Sequence, residues 1–476
     1  MNFLGRYKLY IGAWSLFILF VLLPPTNVYP KVLFQFWPTL SVSEEFSDNY
    51  LETRDNKQEE FITTYGAGFS LGMFEKNLRF YLNYSPEYRD YKELNDRDRL
   101  VHPIELGGEW SPTRRTDLAM GIAYTAGNDN YQSESEHNTA SFSGITRLAR
   151  TLALDYSHSY DDAFDRQIRT GNFTDHTVNT TDVELTGQYG VKNIYSAGLR
   201  YMVDDYDAVS DDSFTQIEPH ARLTHWMTPM SGIATSIAYK DKDFDDQGGD
   251  EQTLSADIRY IRVLSRNFDV YAKYRQSYAD TDAYEHHIFH PSVGFDWAVD
   301  KTSGVSMGAG FLFHDWSNDN DDDTDLFLDL DAYKRFEFSP RMQLAFTASS
   351  GYSESNETAA SLGYNIHYRA GGRFNYRLTR QLSSNLFTAY QVTDYQETAQ
   401  DRKDEEIIAG ASLSWLPVKW LQFNLEYRYT DFSTNTTERE DYAQNTALLT
   451  VRFFPEKPIR FDSPVSRNTL ETFLFD

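Results

Sequence analysis

The sequence predicts an all-β fold. It is a transmembrane antiparallel up-and-down β-barrel of about 22 strands, within a range of roughly 18 to 22, and without a plug domain. Three observations predict it. Long segments alternate apolar and polar residues. Their connections alternate strictly between tight turns and longer acidic loops. The composition is lean but aromatic: 40% of the 476 residues are hydrophobic, while Tyr and Phe number 33 each. Such a chain lacks the apolar mass to fill a solid body of its length, whereas a barrel needs only an outer apolar belt.

The chain opens with a targeting pattern. Arg6 and Lys8 precede an apolar stretch from Trp14 to Leu23, followed by Pro24 and Pro25. The stretch is short for a transmembrane helix and matches the apolar core of a secretory signal peptide. Residues 1–30 are therefore expected to be a signal peptide, 31–454 an outer-membrane β-barrel and 455–476 a C-terminal periplasmic tail. An uncleaved anchor helix is the alternative for the first segment.

From Lys31 onward no amphipathic helix stands out. Leu78, Phe80, Leu82 and Tyr84 alternate with Arg79, Tyr81, Asn83 and Ser85. Leu421, Phe423, Leu425 and Tyr427 alternate with Gln422, Asn424, Glu426 and Arg428. Tyr195, Ala197, Leu199 and Tyr201 alternate with Ser196, Gly198, Arg200 and Met202. Period two gives a strand one apolar and one polar face. In a membrane barrel the first meets lipid and the second the lumen.

Tight turns centre near Lys76, Arg114, Arg150, Lys192, Pro229, Arg266, Lys301, Pro340, Arg380 and Pro417. They recur roughly every 38 residues, with a longer polar loop between successive turns, as at Asp161 to Asp175 or Asp241 to Glu251. Short turns on one side and long loops on the other are the outer-membrane pattern, with the short turns periplasmic. A propeller shares the period but needs turn signals inside each arm, and these are missing. Trp110, Trp226, Trp297, Trp415, Trp420 and Trp37 lie near the turn ends, where they are expected to form an aromatic girdle. The last barrel strand is expected over Tyr442 to Phe454, and its aromatic close resembles the strand read by barrel-assembly machinery.

Two stretches carry a family resemblance. The first is Trp37-Pro38-Thr39-Leu40-Ser41-Val42-Ser43-Glu44-Glu45-Phe46-Ser47-Asp48-Asn49. The second is Phe61 to Leu71, followed by Tyr81-Leu82-Asn83-Tyr84-Ser85-Pro86-Glu87-Tyr88-Arg89-Asp90-Tyr91. Together they resemble the putative β-barrel porin 2 family. Members often accompany exopolysaccharide synthesis loci, so the resemblance implies a barrel that carries polymer across the outer membrane.

The polar faces nominate lumen-lining residues. Arg79, Tyr81, Arg200, Arg222, Arg259 and Tyr271 are candidates in the first part of the chain. Lys273, Arg275, Asp329, Asp331, Arg369, Glu426 and Arg428 follow. Charged rings select what passes a pore, and Tyr81 and Tyr271 offer faces for sugar stacking. The plainer reading is that the charges pair across strands and hold the wall.

Other chemistry is argued against. There is no cysteine, hence no disulfide or thiolate metal site, and a net charge of −27 disfavours nucleic acid as a partner. His286 and His287 point to opposite faces of a strand, and His290 lies roughly 13 Å from His286, so no shared zinc is expected. The acidic run holding Asp319, Asp321, Asp323 and Asp325 is at most a weak divalent site, because it lacks the glycine and closing glutamate of an EF-hand. No catalytic motif is present, and neither enzymatic activity nor a cofactor is expected.

The expected function is a channel in the outer membrane of a Gram-negative bacterium, exporting exopolysaccharide with a periplasmic export protein as partner. The expected contacts are outer-membrane lipid, lipopolysaccharide, the assembly machinery and the polysaccharide. A general diffusion porin, or a scaffold or adhesin acting through the acidic loops, is the alternative. A barrel of this width is also expected to be obstructed at rest, by loops, by large side chains or, most of all, by the tail after Phe454.

Overall fold

The computed structural model describes residues 32–94, 97–129, 134–166, 173–206, 213–244, 250–281, 285–316, 323–354, 364–396, 402–436 and 441–462. They form one antiparallel sheet of 24 segments. Leu78–Tyr84 and Glu87–Tyr91 are halves of one wall strand, parted at Ser85-Pro86, and both pair with Glu60–Phe74 on one side and Arg99–Thr113 on the other. Ile459–Asp462 prolongs the last strand. The wall therefore has 22 strands, and it closes where Leu33–Ser47 pairs with Tyr442–Phe453. Among the described residues, none forms a separate plug.

Six of the tight turns share a chemical cause. Thr113, Thr228, Ser265, Asp300, Ser339 and Thr379 each accept, through a side-chain oxygen, the backbone N–H two residues on. The residue between is Arg114, Pro229, Arg266, Lys301, Pro340 or Arg380. A short oxygen-bearing side chain that closes on its own backbone stabilises a turn without neighbours. The ladder register also shifts just before several of these turns, as between Trp226 and Thr228 and between Trp297 and Asp300. One extra residue there bends the strand and helps it reverse.

The register assigns the two faces. Leu425 lies opposite Leu449 and Leu413, on the face that carries exposed Leu40, Leu199 and Leu386. Asn424 lies opposite Thr450 and Ser414 on the other face. That second face is the concave one. On it side chains cross an intervening strand: Arg259, on Glu251–Ser265, pairs with Asp296 on Glu285–Asp300, over Phe268–Thr281. Convex surfaces splay side chains apart and disfavour such bridges; on the outer face they occur beside tight turns, as between Tyr189 and His225 and between Lys334 and Asp300.

The same register divides the tryptophans. Trp110, Trp297 and Trp415 lie on the outer face, and Trp420 in its turn stacks on outer-face Phe453. Trp226 sits opposite Gly232, and Trp37 opposite Ser70, both with the inner-face set. The expected girdle thus loses two members. A period of two makes a one-residue offset flip a side chain, and closeness to a turn does not reveal parity.

The seam is latched at both ends. At the loop end Asp48 accepts hydrogen bonds from the Asn445 backbone N–H (2.7 Å) and side-chain amide (2.6 Å). Asn49, fully buried, donates to the carbonyls of Thr53 and Ala443. At the turn end the first strand outruns its partner, which would leave Leu33–Phe36 with an unpaired edge. Ile459–Asp462 pairs with that edge instead. The tail therefore does not leave the wall at Phe454, because unpaired backbone groups are costly where water is scarce. Lys419 and Glu456 form an ion pair beside it, which holds the Glu456 carboxyl below the usual carboxylate range. Residues 463–476 lie outside the described residues.

Two small apolar clusters stand at the loop end. Tyr50, Ile62 and Tyr91 pack with Leu51 and Leu94, and Ile288, Leu312, Phe327 and Ile366 pack with Tyr352. Glu60 supports the first. Its buried carboxylate accepts the N–H groups of Phe61, Glu93 and Leu94, pinning one loop to the next.

Candidate functional site

The inner wall is the candidate site. The register places all thirteen nominated side chains on the concave face. Arg79 lies opposite Glu109, Tyr81 opposite Gly107, and Arg200 opposite Asp182 and Glu218. Arg222, Arg259, Lys273 and Arg275 lie opposite Ser236, Ala234, Ser292 and Asp257. Tyr271 faces Gly294, Asp329 faces Gly308, and Asp331 faces Ser306 and Ser349. Arg369 lies opposite Ser349, and Glu426 and Arg428 lie opposite Ser412 and Gly410.

Most of the charges are compensated. Arg79 pairs with Glu109 at 3.3 Å, and Arg428 with Glu426 at 3.3 Å. Arg200 reaches Asp182 at 3.1 Å and Glu218 at 3.9 Å. Lys273 and Arg275 share Asp257, at 3.5 and 3.6 Å. Cross-strand pairing thus accounts for these residues before any solute is invoked. Among the described residues, Arg222, Arg369, Asp329 and Asp331 make no such ion pair. Arg200 and Arg222 line a depression of the inner wall together with Ser157 and Thr180.

The two tyrosines diverge. Both rings lie flat on the wall over glycine, where a methyl group would collide with the ring. Tyr81 covers Gly107, and Tyr271 covers Gly294 and reaches Gly308. Tyr81 remains 39% exposed, with its hydroxyl 3.3 Å from Glu105. Asn83 donates to the same carboxylate at 3.0 Å. Tyr271 is 8% exposed, and the Arg259 guanidinium stacks 3.8 Å from its ring centroid. So Tyr81 presents a free ring face to the lumen and Tyr271 does not.

Sequence reasoning missed Glu105 and Asn83, which frame Tyr81. Their relation to Tyr81 needs the register between strands, although Tyr81 and Asn83 share parity along their own strand. It also missed the buried pair of Lys240 and Glu251 at 2.6 Å, and Lys242, held 3.8 Å from the Phe214 ring. All lie next to loops, where alternation ends.

The histidines behave as parity requires. His286 sits opposite Ala279 on the inner face and His287 opposite Tyr278 on the outer. His286 meets His314 at 3.2 Å between ring nitrogens. No group of three or more metal-ligating side chains occurs among the described residues. Asp319 and Asp321 lie outside the described residues. Asp323 and Asp325 begin a strand, paired with His314 and Leu312.

Solved structures confirm the architecture. The ferric enterobactin receptor mutant R480A of Pseudomonas aeruginosa aligns with a TM-score of 0.53 at 10% identity, over 88% of this chain and 81% of that one. The siderophore receptor PirA of Pseudomonas aeruginosa gives 0.52 at 11%, over 88% and 80%. PirA of Acinetobacter baumannii gives 0.51 at 9%, over 90% and 81%. At such identity the likeness is one of fold alone. No curated protein matches the chain. The family signal falls at the far end of the chain from the two N-terminal stretches that first suggested it, although its last strand closes on the first of them. Residues 331–454, from the middle of Asp323–Ser339 to the end of the last long strand, match the family described as putative beta-barrel porin 2.

Proposed function

We propose that the protein is a non-enzymatic outer-membrane conduit of a Gram-negative bacterium for a hydrophilic, polyhydroxylated polymer, an exopolysaccharide on its way out of the cell. The observation that carries this reading is Tyr81, a ring held flat on the lumen wall with one face free. An aromatic face accepts the apolar CH face of a sugar ring, while flanking acceptors such as Glu105 and Glu109 take its hydroxyls. The compensated charges elsewhere leave a hydrated wall without a dominant ionic trap. In this reading the short turns are periplasmic and meet an export protein, and the long loops face outward among lipopolysaccharide.

The test is oligosaccharide block of the current through purified protein in planar bilayers. Tyr81→Ala is expected to weaken block about tenfold, and Tyr81→Phe to retain it. Identical block in the wild type and Tyr81→Ala, or no block by any oligosaccharide, would remove the polymer reading. The second result would favour a general diffusion porin, which the balanced lumen charges and the family match also fit.

A further inference from the structure

Five side chains on the inner wall near the loop end are sealed from solvent. Ile288, His290, Leu312, His314 and Phe327 are at most 2% exposed. The inner face of so wide a barrel stands in water unless a second layer covers it. Neither ring nitrogen of His290 has a hydrogen-bond partner among the described residues, as expected under an apolar cover.

The register identifies that cover. The ladder between Asp323–Ser339 and Met342–Glu354 ends where Leu330 meets Ser350. Beyond it Met342–Glu354 pairs only with Tyr364–Arg377, Tyr352 lying opposite Ile366. Tyr352 and Ile366 share the parity of Phe346 and Tyr368, which are exposed on the outer face. Yet they pack on Ile288, Leu312 and Phe327, which belong to the inner face. The Tyr352 ring lies 5.3 Å from Phe327 and 5.4 Å from His290, with the Arg275 guanidinium 5.2 Å from its centroid. Arg275 stands on Phe268–Thr281, four wall strands away. Outer-face side chains reach the inner face of neighbouring strands in one way only. The loop ends of these two strands, around Tyr352 and Ile366, have left the wall and lie inside the barrel, their outer face laid on that inner face. Stacked sheets sit about 10 Å apart, with side chains filling the gap, which is the reach these contacts require.

We propose that these infolded strand ends, packed through Tyr352 and Ile366, form the constriction that sets the size of solute the barrel admits. The obstruction then comes from two wall strands at the loop end. The tail beyond Phe454 is spent on the seam, at least as far as Asp462. The inference concerns bore and not cargo, so it stands or falls apart from the polysaccharide reading.

Two measurements test it. The chain has no cysteine, so the double variant Leu312→Cys with Ile366→Cys can be oxidised without competing thiols. Near-complete cross-linking in folded barrels is expected, because those side chains belong to one packed cluster. The second measurement is single-channel conductance of Tyr352→Ala, Ile366→Ala and the two combined, with folding checked by heat-modifiable gel mobility. The combined variant is expected to conduct at least twofold more than the wild type and to pass larger neutral solutes. Absence of the cross-link, or unchanged conductance in a folded combined variant, overturns the proposal. If the combined variant fails to fold, the cross-link and the two single variants decide it.

Discussion

Tyr81 and Tyr271 occupy equivalent positions in two sectors of one wall, and the sectors have opposite fates. Each ring lies over glycine on the concave face, one strand across. Around Tyr81 the next strands present Gly121, Ala119, Ala123 and Ser141, and the ring stays 39% exposed among the described residues. Around Tyr271 the wall is stacked: Arg259 caps the ring, Asp296 holds Arg259, and Ser306 donates to Asp296 at 2.6 Å. Nearer the loop end of that sector, the infolded strand ends cover Phe327. One sector is open lumen surface and the other is a small protein core inside a barrel. An aromatic residue on a polar face therefore says little about access until its neighbours two strands away are known.

Three comparisons sharpen or break this contrast. The largest effect is expected from deleting a ring in each sector. Phe327→Ala empties a fully packed site and is expected to cost about 3–5 kcal/mol. Tyr81→Ala removes a half-exposed ring and should cost less than about 1 kcal/mol. Urea unfolding in detergent, followed by tryptophan fluorescence, measures both, and equal losses would dissolve the distinction between sectors. Next come the glycines. An added methyl at Gly294 would strike the Met307 carbonyl and the Tyr271 ring, whereas at Gly121 it meets only the Ser141 hydroxyl at 3.1 Å. Gly294→Ala is expected to destabilise by about 1–3 kcal/mol and Gly121→Ala to change little. A tolerated Gly294→Ala would mean that the Tyr271 layer is loosely packed. The smallest contrast is electrostatic. Asp296→Asn frees Arg259, but the pair is partly exposed, so roughly 0.5 kcal/mol is expected after solvent screening. Glu105→Gln should be near neutral for stability. Its effect belongs in the oligosaccharide block, and a larger stability loss there than at Asp296 would invert the comparison.

Much of this architecture is legible in the residues. Leu425 and Asn424 fall on opposite faces because a strand has period two, and no tertiary contact is needed to know it. The ten tight turns fall where Arg, Lys or Pro residues punctuate the alternation, and the preceding Ser, Thr or Asp closes six of them locally. The strand count follows from those turns. The thirteen nominated side chains come to one face for the same reason. Pairing is less legible. Arg200 could be called a charge on the polar face from its own strand alone, but its partners Asp182 and Glu218 depend on register with strands on both sides. The buried Asn49 and Glu60 gave no periodic signal, because each serves backbone groups of a loop.

The amino-acid sequence by itself determined the number of strands, the order of turns and loops, and which side chains share a face. These are consequences of local geometry: a two-residue repeat and turns closed by their own side chains. Only the tertiary structure decided which of two similar tyrosines stays open, that the tail prolongs the seam, and that two strand ends leave the wall for the lumen. Each depends on contacts between residues far apart in the chain: Arg259 with Asp296, Leu33 with Asp462, Phe327 with Ile366. Alternation cannot report such contacts. The same outer-face residue reads as lipid-facing in the pattern, and becomes core once its strand crosses to the inside of the barrel.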